Sequence, residues 1–344
     1  MALNSPHRLL RRLCPVAGAV LAALVTAAVM PGRRGVAAQS TQQSASEVVA
    51  NLAAGRVAVL VAKDGIAVIT AESQVEPGTL PPLIVPLGSL RVGVLLGPVE
   101  WVWPDTNRPP LRLDAELRRS AVGIRASPSK AYETSATDIE GIGLGFLEPL
   151  RNAAAQLHAP LHLQPRALFT ELLLVGYSPG YGPEVWSLRY HVEQEALRGD
   201  FYRTAIHRPE YVQLYPPDKG QPKTLLETCY PPNDPGEPPI VELLKQNDSR
   251  LAALREADPG LGRAAELLER GESQKIKIDD GLEFLRAAFQ RISPHGARQM
   301  ILLITEQKGM EWVLGQSVLA PLAPLDKRDS TPGRPTLLTK PDSP

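Results

Sequence analysis

The chemical pattern that stands out in this sequence is a serine between two glycines. Residues 176–180 read Gly-Tyr-Ser-Pro-Gly, which matches the G-x-S-x-G pattern, and they directly follow the apolar run LLLV. In hydrolases this pattern forms a sharp turn between a strand and a helix, and the turn exposes the serine as a nucleophile. Ser178 is therefore a candidate nucleophile for peptidase or esterase chemistry.

The residues that follow Ser178 favour a hairpin turn over such a site. Pro179 has no backbone N–H to donate to an oxyanion. A segment rich in glycine and proline then leads into EVWSLRYH, which is typical of a strand and not of a helix. We therefore predict a turn that joins strands over residues 169–176 and 184–191, with the Ser178 hydrolase as the alternative.

The strongest local signal of structure is a hairpin over residues 56–73. Two runs rich in Val, Ile, Leu and Ala are joined by Lys63-Asp64-Gly65, and an Asp-Gly step between such runs is typical of a tight hairpin turn. The runs show little polar alternation, which indicates strands that are covered on both faces. The rest of the fold is expected to be built on this hairpin.

The other elements alternate between strand pairs and helices. A second strand pair is predicted over 83–85 and 90–96, with Gly97 at its end, and a last hairpin over 300–304 and 311–314. Helices are predicted over 139–158, over 240–269 with a break at Asp258, and over 279–292 with Asp279 or Asp280 as N-cap. Residues 200–240 are rich in Pro and Tyr and are expected to form long loops and irregular strand.

This order predicts an α+β fold, because hairpins make antiparallel sheets and the intervening helices can cover them. Together with the local sequences, the order resembles the proteasome β-subunit and its relatives among the N-terminal-nucleophile hydrolases. Four segments carry the resemblance: KDGI through AES at 63–73, LLG at 95–97, ELLLVGY at 171–177 with GPEVW at 182–186, and ILLI with KGMEW at 301–312. The resemblance implies a four-layer αββα sandwich of two antiparallel sheets with helices outside.

The resemblance also implies a mechanism, whose residues this sequence lacks. In active members the first strand begins with a Thr, Ser or Cys freed by self-cleavage, its own amine acts as base, and a neighbouring lysine lowers its pKa. Here the nucleophile position falls at Arg56 or Gly55, and residues 47–69 contain no Ser, Thr or Cys. The lysine position falls near Leu83, and no lysine occurs between Asp64 and Ser129. Glu72 matches the family's acidic residue and is the second candidate catalytic residue after Ser178.

The N-terminal segment predicts export. A region with Arg8, Arg11 and Arg12 precedes an apolar run over 14–30, and Val36-Ala37-Ala38 suits a signal peptidase, so we predict cleavage after residue 38. The alternative is an uncleaved anchor formed by residues 14–30. The predicted parts of the chain are a signal peptide (1–38), a spacer (39–55), the αββα domain (56–319) and a Pro-rich disordered tail (320–344).

The charge of the mature chain disfavours nucleic acid as a partner. Removal of five arginines from 37 basic residues leaves 32, against 37 acidic residues, and no basic stripe stands out. Cys229 remains as a single cysteine, so no internal disulfide is expected. No metal or other cofactor is predicted.

The sequence thus predicts an exported, catalytically inactive proteasome-like domain that acts as a binding or assembly module. The resemblance further implies association of identical subunits. A membrane contact is expected only through the N-terminal segment, where that segment stays uncleaved.

Overall fold

The structure is a computed structural model. It describes residues 49–72, 79–102, 107, 109–126, 135–155, 167–178, 181–197, 202–222, 224–231, 238–292 and 298–322. The predicted signal peptide (1–38) and the predicted tail beyond Leu322 lie outside these residues.

The described residues form thirteen strands and six α-helices. The strands are β1 (Val49–Ala53), β2 (Gly55–Val61), β3 (Ile66–Glu72), β4 (Leu83–Pro86), β5 (Arg91–Val102), β6 (Leu111–Arg112), β7 (Ala167–Ser178), β8 (Gly182–Ala196), β9 (Tyr202–Ile206), β10 (Glu210–Tyr215), β11 (Leu226–Tyr230), β12 (Gln299–Thr305) and β13 (Gly309–Leu314). The helices are α1 (Leu113–Ala126), α2 (Ser135–Ala154), α3 (Ile240–Lys245), α4 (Ser249–Ala257), α5 (Pro259–Glu269) and α6 (Ile278–Ile292), and a single 3-10 turn spans Ser273–Lys275.

The strands form two sheets, which we call the large and the small sheet. The large sheet has eight strands in the order β1-β5-β7-β8-β10, with β4 and β6 paired to β5 and β9 paired to β8. The small sheet has five strands in the order β11-β2-β3-β12-β13. Every pair of these strands is antiparallel, as expected for strands joined by hairpins.

Three clusters of buried apolar side chains lie in layers. One joins the facing sides of the sheets, with Val57 and Val59 of β2 beside Val92 and Val94 of β5. A second lies between the large sheet and helices α1 and α2, and a third lies between the small sheet and helices α3 to α6. Because strands such as β2, β3 and β5 bury both faces, their apolar runs need no polar alternation. The arrangement is mixed α+β and is compatible with the predicted sandwich.

The predicted hairpins are present. Strands β2 and β3 pair from Val61 with Ile66 to Gly55 with Glu72. On its other side β3 pairs with β12, which forms the last hairpin with β13. Strands β7 and β8 pair along eleven register positions around the Gly/Pro turn. The break predicted at Asp258 separates α4 from α5, where its side chain accepts hydrogen bonds from the N–H groups of Gly260 and Leu261.

Two predictions of irregular chain are wrong. The predicted spacer, 39–55, contains β1, which pairs with β5 from Val49 with Val102 to Ala53 with Gly97. The region 200–240, predicted as long loops and irregular strand, contains β9, β10 and β11. These strands are short and carry polar residues, and they form because β8 and β2 offer them an edge.

The predicted end of the second strand pair at Gly97 is also wrong. Strand β5 continues through Gly97 to Val102, and Gly97 adopts a φ of +101°. A Cβ atom there would lie 2.7 Å from the carbonyl oxygen of Phe169. Glycine is therefore needed for close approach within the sheet and does not end the strand.

The start of α6 differs from the prediction of an N-cap at Asp279 or Asp280. Both residues lie inside the first turn, since the helix begins at Ile278. The backbone N–H of Ile278 donates to Asp64 Oδ1 at 2.8 Å. The carboxylate that satisfies this helix start therefore comes from the β2–β3 turn.

The C-terminal boundary of the domain lies slightly beyond residue 319. The backbone N–H of Ala320 donates to Asp114 Oδ2 at 2.7 Å, and Arg118 donates to the carbonyl oxygen of Ala320. Ser317, which is 6% exposed, accepts a hydrogen bond from the N–H of Ile84 at 2.9 Å. The segment after β13 is thereby fixed to β4 and α1.

Candidate functional site

The resemblance places the nucleophile at Arg56 or Gly55, the first two residues of β2. Gly55 pairs with Glu72 on one side and with Tyr230 on the other. The chain reaches it from β1 through Ala53 and Ala54, which are fully buried. Because β1 belongs to the large sheet, the polypeptide crosses from one sheet to the other directly before Gly55.

Of the other positions taken from the resemblance, Glu72 and Arg56 lie beside Gly55, whereas Leu83 lies on β4 of the large sheet. Glu72 ends β3, where its backbone N–H donates to the carbonyl oxygen of Arg298 at 3.1 Å. Leu83, at the lysine position, is 4% exposed and belongs to the core between the large sheet and its helices. Arg56 donates from Nη1 to the carbonyl oxygen of Pro238 at 3.3 Å.

Ser178 lies at the end of β7, directly before the turn into β8. It pairs with Gly182, and the N–H of Tyr181 donates to its carbonyl oxygen at 3.0 Å. The G-x-S-x-G segment is thus followed by a strand and not by a helix. Gly176 is needed for packing against the neighbouring loop, since a Cβ atom there would lie 2.1 Å from the carbonyl oxygen of Leu90.

The hydroxyl of Ser178 is buried and held from two sides. It donates to Glu184 Oε2 at 2.5 Å and accepts from Arg91 Nη2 at 2.7 Å. Arg91 Nη1 lies 4.0 Å from Asp138 Oδ2 on α2. Ser178 is 3% exposed, so in this conformation a substrate has little access to its oxygen. The arrangement fixes the hairpin against α2.

The structure does not bring Ser178 and Glu72 together. Tyr177, next to Ser178, donates its backbone N–H to the carbonyl oxygen of Leu90 at 2.9 Å. A Cβ atom on Gly309 would lie 3.3 Å from the carbonyl oxygen of the adjacent Ser89, so Ser178 lies at the end of the sheets that carries the β12–β13 turn. Glu72 lies at the opposite end, beside Gly55. The two candidate residues therefore cannot form one catalytic site.

Sequence reasoning missed a cluster of polar side chains between the two sheets. Glu171 of β7 is 2% exposed and accepts from Ser187 Oγ at 2.5 Å and from Thr228 Oγ1 at 2.9 Å. Arg189 Nε also donates to it, at 3.3 Å. Since Thr228 belongs to the small sheet, this carboxylate joins the two sheets. The signal in the sequence was a single acid within the apolar run FTELLLV.

Two histidine–glutamate pairs lie on β8 and the chain beside it. His207 Nε2 is 2.9 Å from Glu193 Oε2, and His191 Nε2 is 3.6 Å from Glu210 Oε2. Across the part of the chain that the structure describes, no group of three or more His, Cys, Asp or Glu residues is arranged to hold a metal ion.

Comparison with known proteins adds no family. No protein-family model matches this sequence, and no curated protein sequence matches it. The described helices include none that is both long and apolar enough to cross a membrane.

Proposed function

We propose that this chain is an exported, non-catalytic domain with the layered arrangement of the N-terminal-nucleophile hydrolases, and that it acts as a binding or assembly module. The observation that carries the proposal is the environment of Gly55. Neither Gly55 nor Arg56 has a nucleophilic side chain, and the nitrogen of Gly55 is part of a peptide bond to the buried Ala54.

The family mechanism requires a free α-amine and a nucleophilic side chain on the same residue. Here β1 precedes that position and pairs with β5 over five register positions. Removal of β1 would expose the edge of β5 and the apolar side chains that it covers. We therefore expect β1 to stay paired with β5, and while the Ala54–Gly55 bond is intact the start of β2 carries no free amine.

Export is supported by the basic, apolar and small-residue regions of residues 1–38. The alternative, a membrane anchor formed by residues 14–30, rests on the same segment.

Assembly is supported by β13, the edge strand of the small sheet. Val313 and Leu314 are 42% and 37% exposed, and an exposed apolar edge is prone to pair with another strand. The resemblance instead implies association through outer helices, where Leu144 of α2 is 36% exposed. Light scattering can compare the mature protein with the variants Val313→Lys and Leu144→Lys. Loss of assembly in one variant identifies the surface that carries that residue, and a parent protein that is monomeric at every concentration would contradict assembly.

A second candidate function is hydrolysis through Ser178. The observation in its favour is the 2.5 Å hydrogen bond from its hydroxyl to Glu184, a carboxylate that could accept the proton. Against it stand the burial of the hydroxyl and the missing N–H of Pro179.

Intact mass after treatment with an excess of a fluorophosphonate tests both candidates. We expect no change in mass for the non-catalytic domain. An adduct that is lost in Ser178→Ala but kept in Ser120→Ala, a serine on α1, would establish the hydrolase instead.

A further inference from the structure

Strand β4 lies at one side of the large sheet. Among the strands that the structure describes, β4 pairs with β5 alone. In an antiparallel ladder the backbone groups of alternate residues point toward the partner strand and away from it. A strand in this position offers its outward groups to a strand of another molecule. The outer side of β4 is therefore a place where a second copy of the chain could add a strand.

The outward N–H of β4 belongs to Ile84. It donates to Ser317 Oγ at 2.9 Å, so it points away from β5. Pro86, two residues further along the strand, faces the same way and has no N–H to offer. Leu83 and Val85 have the opposite direction and face β5, with which they pair. Both outward positions of β4 thus lack a donor for an added strand.

The two ends of β4 are closed in a similar way. Residues 81 and 82, directly before the strand, are prolines and have no N–H. Directly after the strand, the N–H of Leu87 donates to the carbonyl oxygen of Arg91 at 2.9 Å, within the turn to β5. Strand addition needs donors as well as acceptors along an edge. Over residues 81–87 every outward N–H is either missing or already bonded.

Ser317 is fixed in place by the chain around it. It is 6% exposed, and its hydroxyl donates to Met300 Sδ at 3.4 Å. Gly315 turns the chain out of β13 with a φ of +61°. Beyond Ser317, the N–H of Ala320 donates to the fully buried carboxylate of Asp114 at 2.7 Å. The hydroxyl that closes the β4 edge is therefore held by contacts before and after it.

Strand β13, at the end of the small sheet, differs from β4 in its donors. Residues Gly309–Leu314 include no proline, so each of them has an N–H. Since β13 pairs with β12 on one side, alternate N–H groups point away from that partner. The two strands therefore differ in the pattern that strand addition requires, because β4 lacks outward donors and β13 keeps them.

We propose that Ser317 and the prolines around β4 close this edge against a strand from a second copy of the chain, so that assembly by strand pairing uses β13 instead. The Ser317 hydroxyl takes the place of the carbonyl oxygen that an added strand would supply to Ile84. The inference rests on the proposed assembly role and adds the means by which one edge is chosen over another.

Hydrogen exchange at the Ile84 amide tests the contact itself. Ser317→Ala removes the acceptor, and we expect exchange at Ile84 to become about 10-fold faster or more. Ser317→Thr keeps a hydroxyl and should keep the protection. Ser120→Ala is the matched control, because it loses a hydroxyl bonded to the carbonyl oxygen of Glu116 within α1 and should leave Ile84 unchanged. Equal exchange in Ser317→Ala and the parent would overturn the role of Ser317.

Self-association tests what the closed edge does. The double variant Ser317→Ala/Pro86→Val has an unbonded or new N–H at both outward positions of β4. In a Val313→Lys background, which weakens pairing through β13, we expect it to associate about 10-fold more tightly than Val313→Lys alone in analytical ultracentrifugation. Pro86→Val alone restores one donor and should show a smaller increase. Folded variants, as judged by circular dichroism, that associate no more than Val313→Lys would overturn the proposal.

Failure of this proposal can be told apart from failure of the proposed assembly. A parent protein that is monomeric at every concentration would contradict assembly, while tighter association of the double variant would still support closure of β4. A parent protein that assembles, together with a double variant whose association is unchanged, would instead overturn the closure and leave assembly intact.

Discussion

At the scale of single residues, the buried carboxylate of Glu171 is the most important for the packing of the two sheets. It lies in an apolar strand and accepts hydrogen bonds from a serine of its own sheet and from Thr228 of the other sheet. A buried carboxylate is costly unless it is paired and hydrogen-bonded, and Glu171 meets both conditions through Ser187, Thr228 and Arg189. These hydrogen bonds fix the position of the small sheet relative to the large sheet at this point.

Replacement of Glu171 by Ala should lower the free energy of unfolding by about 3 kcal/mol, because the buried hydroxyl of Ser187 and the partly buried hydroxyl of Thr228 lose their acceptor. Glu171→Gln keeps one acceptor oxygen and should cost less. Urea unfolding of both variants measures the difference. Equal stability of Glu171→Ala and the parent would contradict a joining role for this residue.

Glu227 of β11 is a second acid with an unusual environment. Burial raises its pKa to about 7, although Arg56 and the backbone N–H groups of Ile240 and Val241 act in the opposite direction. Its Oε2 accepts from the N–H of Ile240 at 2.7 Å. The folded protein therefore holds a proton on this carboxyl in a pH range where the unfolded chain has released it.

The pH dependence of stability follows from that difference. Between the ordinary Glu pKa of 4.5 and about 7 the folded state binds more protons than the unfolded state, so stability falls as pH rises through this window. The loss is on the order of 3 kcal/mol, since each pKa unit corresponds to about 1.4 kcal/mol. Above the window this cost persists.

Glu227→Gln should remove this dependence. Relative to the parent, the variant should gain stability as the pH is raised from 5 to 8. Denaturant titrations at several pH values measure the gain, and Glu242→Gln, an exposed acid on α3, is the matched control. A constant difference between Glu227→Gln and the parent across this range would contradict the raised pKa.

At the scale of elements, the β2–β3 turn has a task beyond joining two strands. Asp64 accepts from the first backbone N–H of α6 and so connects the small sheet to the helix that covers it. The N-terminal groups of a helix have no partner within the helix, so an external carboxylate satisfies them and interacts favourably with the helix dipole.

Asp64→Ala should destabilise the protein by about 1 kcal/mol, which is the usual cost of losing a helix-capping carboxylate. Asp280→Ala, within the first turn of α6, should cost less, because its charge affects only the dipole. Chemical denaturation compares the two. A larger loss of stability in Asp280→Ala than in Asp64→Ala would contradict the capping role of Asp64 and favour the N-cap predicted from local sequence.

Local signals in the sequence account for the elements that were predicted. The β2–β3 hairpin needs only its β-branched runs and its Asp-Gly step, and α6 needs only its apolar spacing. Strands β9 and β10 were missed because their pairing depends on β8, which is a tertiary contact. Helix α1 was not predicted either, since charged residues interrupt its apolar spacing.

At the scale of the whole molecule, the order of hairpins and helices predicted antiparallel sheets covered by helices, and the resemblance implied that there are two sheets. The contacts between side chains that are distant in sequence could not be predicted in this way. Thr228 meets Glu171 across 57 residues of sequence, and Ile278 meets Asp64 across 214.

The layered arrangement also explains why the position of Gly55 decides the proposed function. Gly55 begins the central hairpin of the small sheet, and the residues before it belong to the large sheet. The proposed function therefore predicts that the Ala54–Gly55 bond stays intact and that binding uses other surfaces, such as the edge of β13.

The most direct test of this account is the N-terminal sequence together with the intact mass of the mature protein. The account predicts a mass that includes β1, with an N-terminus upstream of Val49 and an uncut bond between Ala54 and Gly55. A mature chain that begins at Gly55 or Arg56 would contradict it, because a free α-amine would then lie at the end of β2, where the resembled enzymes carry out their chemistry.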